Sequence, residues 1–226
     1  MSELFRQLLA GGTFWRGLWE TVYMVAISTA LAYVLGLPLG VILCVSDRKG
    51  LCPMPWLHRI LGITVNILRS IPFVILMVAT VPVSKVLVGT SLGNRAMIVV
   101  LVIAAAPYVA RMVESSLDEV NRGVIEAAEA MGASRFRIIT GVLLPEARPS
   151  LITGAVISAV TVLGYSAMAS TIGGGGLGAI AVVWGHQRLR PDVIWFCVLL
   201  VVLLVQLIQE TGMYLARRTD KRTRSK

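Results

Sequence analysis

The stretch Val193 to Ala216 reads VIWFCVLLVVLLVQLIQETGMYLA, an apolar run long enough to carry a helix across a hydrocarbon core about 30 Å thick. In lipid a spanning backbone must satisfy its own N–H and C=O groups, and a helix does so within one segment. A membrane β-barrel would alternate apolar and polar residues at every second position, which this run does not do. Four runs of the same kind precede it, roughly Thr21 to Val45, Leu61 to Val83, Ala96 to Met112 and Leu151 to Thr171. The third is short, and Glu114 to Glu119 can extend it as helix into water. The expectation is an all-α integral membrane protein of about five transmembrane helices, forming one domain over residues 1–226.

Composition agrees. The 226 residues are 56% hydrophobic and 15% charged, too apolar for a water-soluble domain of this length. The net charge of +9 raises the question of nucleic acid, but the Lys and Arg residues cluster beside the apolar runs. No basic stripe interleaved with exposed aromatics is present, so a nucleic-acid partner is not expected. The cysteines, Cys44, Cys52 and Cys197, are scattered without C-x-x-C spacing and read as packing or loop residues. The first run continues for about 25 residues, well beyond the roughly 7–15 of a signal-peptide core, and is expected to stay as helix. Gly36, Pro38, Gly40 and Pro72 fall inside the runs, where such residues mark close packing or a kink.

Charge sets the expected orientation. One set of connections carries Arg48, Lys49 and Arg59, then Arg111, Arg122, Arg135, Arg137 and Arg148, then Arg217, Arg218, Lys221, Arg222, Arg224 and Lys226. The opposite set has only Arg6, Arg16, Lys85, Arg95, Arg188 and Arg190. By the positive-inside rule the first set is cytoplasmic, which puts the N-terminus outside, the C-terminus inside and a basic tail over residues 217–226 in the cytoplasm. Arg69 falls within the second run, where an unpaired charge costs about 2.5–3.5 kcal/mol on insertion scales. It must face protein or water. Either it fixes helix packing, or it is a pore or gate contact together with Asn66, Ser70 and Pro72. No intramembrane acidic partner is evident.

The longest inner connection, about Ser115 to Ser150, reads as two short helices. Asn121, Arg122 and Gly123 break the chain, and Val124 to Met131 then places Val124, Ala127, Ala128 and Met131 on one apolar face. Gly132 is a suitable stop, and Ser134 can cap a second helix running to Leu144 before Pro145. A short helix with a small apolar face is a peg that needs a socket, either a partner's groove or the lipid surface.

Glu126, Ala127, Ala128, Gly132, Leu144 and Pro145 resemble the EAA motif of ABC importer permeases, with Val142 where isoleucine is usual. The resemblance implies a coupling helix seated in a separate ATPase subunit, which would bind ATP and Mg. By that carry-over Ala127, Ala128, Ala130 and Met131 contact the ATPase, Glu126 braces the loop and Gly132 makes the turn. The chain itself carries no ATPase: Gly173 to Gly178 is glycine-rich but lacks the G-K-[ST] ending that grips phosphate. That stretch reads as a flexible exit from the fourth span, or else as backbone lining the outer mouth or meeting a delivery protein.

Asn66 to Phe73 (NILRSIPF), Ala105 to Glu114 (AAPYVARMVE) and Gly164 to Gly178 (GYSAMASTIGGGGLG) look most like methionine importer permeases of the bacterial inner membrane. In that family the fourth span lines the path at the subunit dyad and a methionine closes the outer gate, which maps to Met168, with Tyr165 and Ser166 one turn away. The other reading of Met168 is a flexible core filler. The resemblance also implies a second copy of the chain, two ATPase subunits inside and a solute-binding protein outside. A proton- or sodium-coupled transporter is the competing reading, but every Asp and Glu falls in a loop or near a span end, Glu20 and Glu210 deepest. An enzyme is not indicated. His58 and His186 are on opposite sides, with no paired carboxylates, no H-E-x-x-H and no G-x-S-x-G, so no catalytic or metal site is expected.

Overall fold

A computed structural model describes residues 3–220, which are helices joined by short turns, with no strand among the described residues. Lys221, Arg222, Arg224 and Lys226 of the expected basic tail lie outside the described residues. The order is α1 (Glu3–Ala10), α2 (Thr13–Ser46), α3 (Pro55–Ser70), α4 (Phe73–Val88), α5 (Asn94–Asp118), α6 (Arg122–Ala130) and α7 (Arg135–Ile138). A π-helical turn (Ile139–Leu143) leads into α8 (Leu144–Glu146), then α9 (Arg148–Ser166) and a 3-10 turn (Ala167–Ile172). Finally come α10 (Leu177–Ile180), a second π-helical turn (Ala181–His186) and α11 (Pro191–Thr219).

Among the described residues α2, α5, α9 with its 3-10 extension, and α11 are long and apolar enough to cross a membrane. The run from Leu61 to Val83 is not one straight helix. It is split between α3 and α4, a pair bent by 108°, and counting that pair as one span gives up to five. The cause is Pro72, extended at φ −55° and ψ 134°: its ring disfavours helical geometry at Ile71, and it has no N–H to continue a ladder. Helix also begins earlier than the hydropathy implies. Arg16 and Glu20 lower the apolar signal before Thr21, yet as an i,i+4 pair 3.4 Å apart they favour the helix that holds them. Beyond Met112, α5 continues to Asp118, as the Glu114 extension suggests.

Two compact units divide the chain. The first takes the described residues up to Leu31, Ile71–Ala105 and Ala159–Gln209. Its core is aromatic at the N-terminal end, where Phe196 meets Phe14 at 4.7 Å and Phe5 at 5.2 Å between ring centroids, around Ile180, Val193 and Cys197. Ser84 of α4 donates its hydroxyl to the Ala96 carbonyl of α5 at 3.2 Å.

The second unit takes Ala32–Ser70, Ala106–Ser158 and, from Glu210 on, the described residues to Asp220. Here α2 and α5 meet backbone to backbone. A Cβ at Gly36 would lie 2.7 Å from Val109, and one at Gly40 would lie 2.5 Å from the Ala110 carbonyl. These glycines serve close packing, since removing the side chain lets van der Waals contact replace the hydrophobic drive that lipid does not supply. Leu43, Val65 and Ala110 form the neighbouring core, and Tyr33 donates its hydroxyl to the Leu151 carbonyl at 3.4 Å.

Candidate functional site

The inner segment builds from its caps. Asn121 accepts the Gly123 N–H at 2.8 Å and starts α6, and Ser134 accepts the Arg137 N–H at 3.4 Å to start α7. At the end of α6 the Ala133 N–H reaches the Ala128 carbonyl at 3.1 Å and the Gly132 N–H reaches the Glu129 carbonyl at 2.9 Å. That pair of bonds is the Schellman arrangement, which requires the left-handed conformation that Gly132 adopts at φ +76°. A Cβ at Gly132 would meet nothing within 4 Å, so conformation rather than space selects glycine there.

The apolar face of α6 is not disposed as the spacing suggests. Ala127, Ala130 and Met131 are open, Met131 at 81% exposure, but Ala128 is buried at 4%. The reason is that α6 lies against α7 and the π-helical turn after it, where Ile138 and Leu143 are buried. Ala128 is therefore packing within the chain and does not join Ala127 and Met131 on an open face. The second helix reaches Glu146 rather than Leu144, with the π turn inserted on the way. Phe136, 76% exposed, stands on the same segment, and sequence reasoning misses it; an aromatic two residues past a helix cap is the available signal.

Glu126 makes no hydrogen bond or ion pair among the described residues. It lines a cavity of about 450 Å³ with Asp47, Lys49, Asp118, Arg122 and Glu129. The Asp47 carboxyl is held below the ordinary carboxylate range, first by the Arg48 N–H, with the Lys49 N–H and the charges of His58 and Arg122 adding to it.

Within the first unit, Tyr165 stacks flat on Phe73, centroids 4.3 Å apart and planes 2° apart. Ser166 is buried and donates to the Leu163 carbonyl at 2.7 Å, so it is turned into its own helix. Met168 is 39% exposed on the 3-10 turn. The glycine stretch that follows is no slack exit. Three successive N–H groups are captured by side chains: Gly175 by Asn94 at 2.6 Å, Gly176 by Glu20 at 2.9 Å and Leu177 by Thr21 at 2.9 Å. The Gly174 N–H bonds the Ala169 carbonyl at 2.8 Å, which ties the loop to the turn carrying Met168. Gly176 sits at φ +94°, and a Cβ at Gly175 would be driven into the Glu20 carboxylate.

Within the second unit, Arg69 lies exposed on α3 with its guanidinium 5.8 Å from the Tyr108 ring centroid. Glu114, 6% exposed on α5, pairs with Arg111, which also donates to Asn66 at 3.0 Å. Among the described residues no group of three or more His, Cys, Asp or Glu is arranged to hold a metal ion.

The family described as "Binding-protein-dependent transport system inner membrane component" matches residues 36–225. The probable D-methionine transport system permease protein MetI of Vibrio cholerae is 50% identical over 204 residues, covering 90% of this chain and 91% of that protein. The D-methionine transport system permease protein MetI of Escherichia coli is 47% identical over 168 residues, 74% of this chain and 75% of that protein. A solved structure described as inward-facing conformations of the MetNI methionine ABC transporter superposes with a TM-score of 0.92 at 43% identity, covering 98% of this chain and 100% of that one. An amino acid ABC transporter crystallised with histidines shares the fold, with a TM-score of 0.72 at 16% identity.

Proposed function

The chain belongs to the family of binding-protein-dependent transport system inner membrane components, and from that premise we infer that it is the permease subunit of a methionine ABC importer of the MetNI type, multi-pass in the bacterial inner membrane. The observation that carries this reading is a capped helix, α6, that offers Met131 and Ala127 to a partner on a chain similar to MetI over 90% of its length. The ion-coupled reading finds no support, and the buried carboxylate of Glu114, beyond the polar end of its apolar run, is already engaged by Arg111.

The parts work together as follows. The chain pairs with a second copy, two cytoplasmic ATPases that hold ATP and Mg seat the two α6 pegs, and a solute-binding protein delivers cargo from outside. The positive-inside count supports a cytoplasmic α6, with the N-terminus outside and the C-terminus inside. Of the residues expected at the ATPase, Ala127, Ala130 and Met131 are the accessible ones, with Phe136 added; Ala128 and Gly132 set the shape of the peg. Glu126, without a hydrogen bond or ion pair among the described residues, is available to the partner. Closure of the ATPases on ATP moves the pegs, and the attached spans follow as bodies. At the outer side Met168 closes the path, with Tyr165 fixed on Phe73 behind it. This rests on the exposure of a flexible, polarizable side chain and on the clamped glycine loop beside it.

The test is reconstitution of the chain with its ATPase and binding protein in proteoliposomes. Methionine uptake should require ATP, stop with vanadate and persist with ionophores, and Met168→Ala should raise leak in the absence of ATP. Ionophore-sensitive, vanadate-resistant uptake would contradict the importer, and a tight Met168→Ala complex would contradict the gate.

A further inference from the structure

Arg69 and Asn66 are three residues apart on α3, so their side chains share one face. Arg111 can only donate, which means that the Asn66 atom facing it at 3.0 Å is Oδ1 and that Nδ2 is left as a donor. Glu114 neutralises Arg111 from behind. Arg69 has no carboxylate partner among the described residues; the Tyr108 ring steadies its guanidinium instead. The face therefore presents mainly donors, a guanidinium fork and a carboxamide N–H, both exposed and both held by groups on α5.

A face on which donors predominate matches a carboxylate, which can accept from a guanidinium in bidentate fashion. Asn66 and Arg111 also border a cavity of about 710 Å³, lined further on by Arg48, Arg59 and His58 against one acid, Asp47. An anion that leaves the α3 face thus meets a predominantly cationic wall rather than a bare apolar one. A cation without a counter-ion inside an apolar stretch costs about 2.5–3.5 kcal/mol on insertion scales, a cost that a bound anion offsets.

We propose that Asn66 and Arg69 form a transient binding site for the α-carboxylate of the amino-acid cargo. The site rests on the methionine-importer reading and gives it a point of chemical recognition inside the permease. Because neither donor is enclosed by the described residues, the contact is weak, as passage requires.

The test uses the whole complex in proteoliposomes, with binding protein saturated with methionine, and reads methionine taken up per ATP hydrolysed. Arg69→Gln should lower that ratio about tenfold, and Arg69→Lys should keep it within about threefold. Asn66→Asp is the discriminating variant. It places a resident carboxylate beside Arg69, so it should depress the ratio as much as Arg69→Gln does. If Arg69 served packing alone, Asn66→Asp would supply the missing counter-ion, raise thermal stability and leave uptake intact, which would overturn the site. Loss of the second copy on purification of Arg69→Gln would overturn it as well. A wild-type complex without ATP-driven uptake would overturn the importer reading and the site together, whereas full uptake by both variants in a working complex would remove the site alone.

Discussion

Gly132 carries its constraint in one torsion. At φ +76°, with open space where a methyl would point, a side chain there meets no neighbour but must enter a left-handed conformation that costs about 1–2 kcal/mol for an L-residue. Gly132→Ala should therefore loosen the end of α6 and lower methionine uptake per ATP, while Gly132→Asn, better suited to that conformation, should retain more of it. Equal coupling by the two variants, measured in the reconstituted complex, would contradict a torsional role. The residue type and position are legible in the sequence as a helix stop. The burial of Ala128 is not, because it depends on a π-helical turn that follows further along the chain and has no hydropathy signature.

At the scale of elements, the long helices are legible because about twenty apolar residues in succession leave lipid as the only consistent solvent. The split between α3 and α4 is half legible: Pro72 stands in the run as a potential kink after the polar Asn66, Arg69 and Ser70, but nothing in the composition tells a kink from a full break. Least legible is the glycine loop, whose clamps Asn94, Glu20 and Thr21 come from 81 and 156 residues away. Glu20→Ala leaves the Gly176 N–H without its partner, a loss of about 1–3 kcal/mol for a donor kept from water. Thermal unfolding of that variant in detergent should fall below that of Glu20→Gln, which keeps an acceptor oxygen; identical midpoints would show the clamp to be idle. The contact of α2 with α5 makes a second prediction. Gly40→Ala pushes a methyl into the Ala110 carbonyl and should destabilise by about 1–3 kcal/mol, whereas Gly62→Ala, 3.8 Å from its nearest neighbour, Arg111, should be tolerated. Matching melting temperatures for the two would contradict the close-packing role of Gly40.

For the molecule as a whole, the account is one of force delivered at one end and a path opened along the spans. The chain's own contribution is a peg whose shape is fixed by Asn121, Gly132 and Ser134 and whose exposed tip is Met131. The most direct test places the photoreactive residue benzoylphenylalanine at position 131 in cells that make the complete transporter, and identifies the cross-linked product by mass spectrometry. The account predicts a single adduct with the ATPase subunit, formed at residues lining a groove of that subunit. Adducts with lipid alone, or with a protein on the outer face of the membrane, would contradict it.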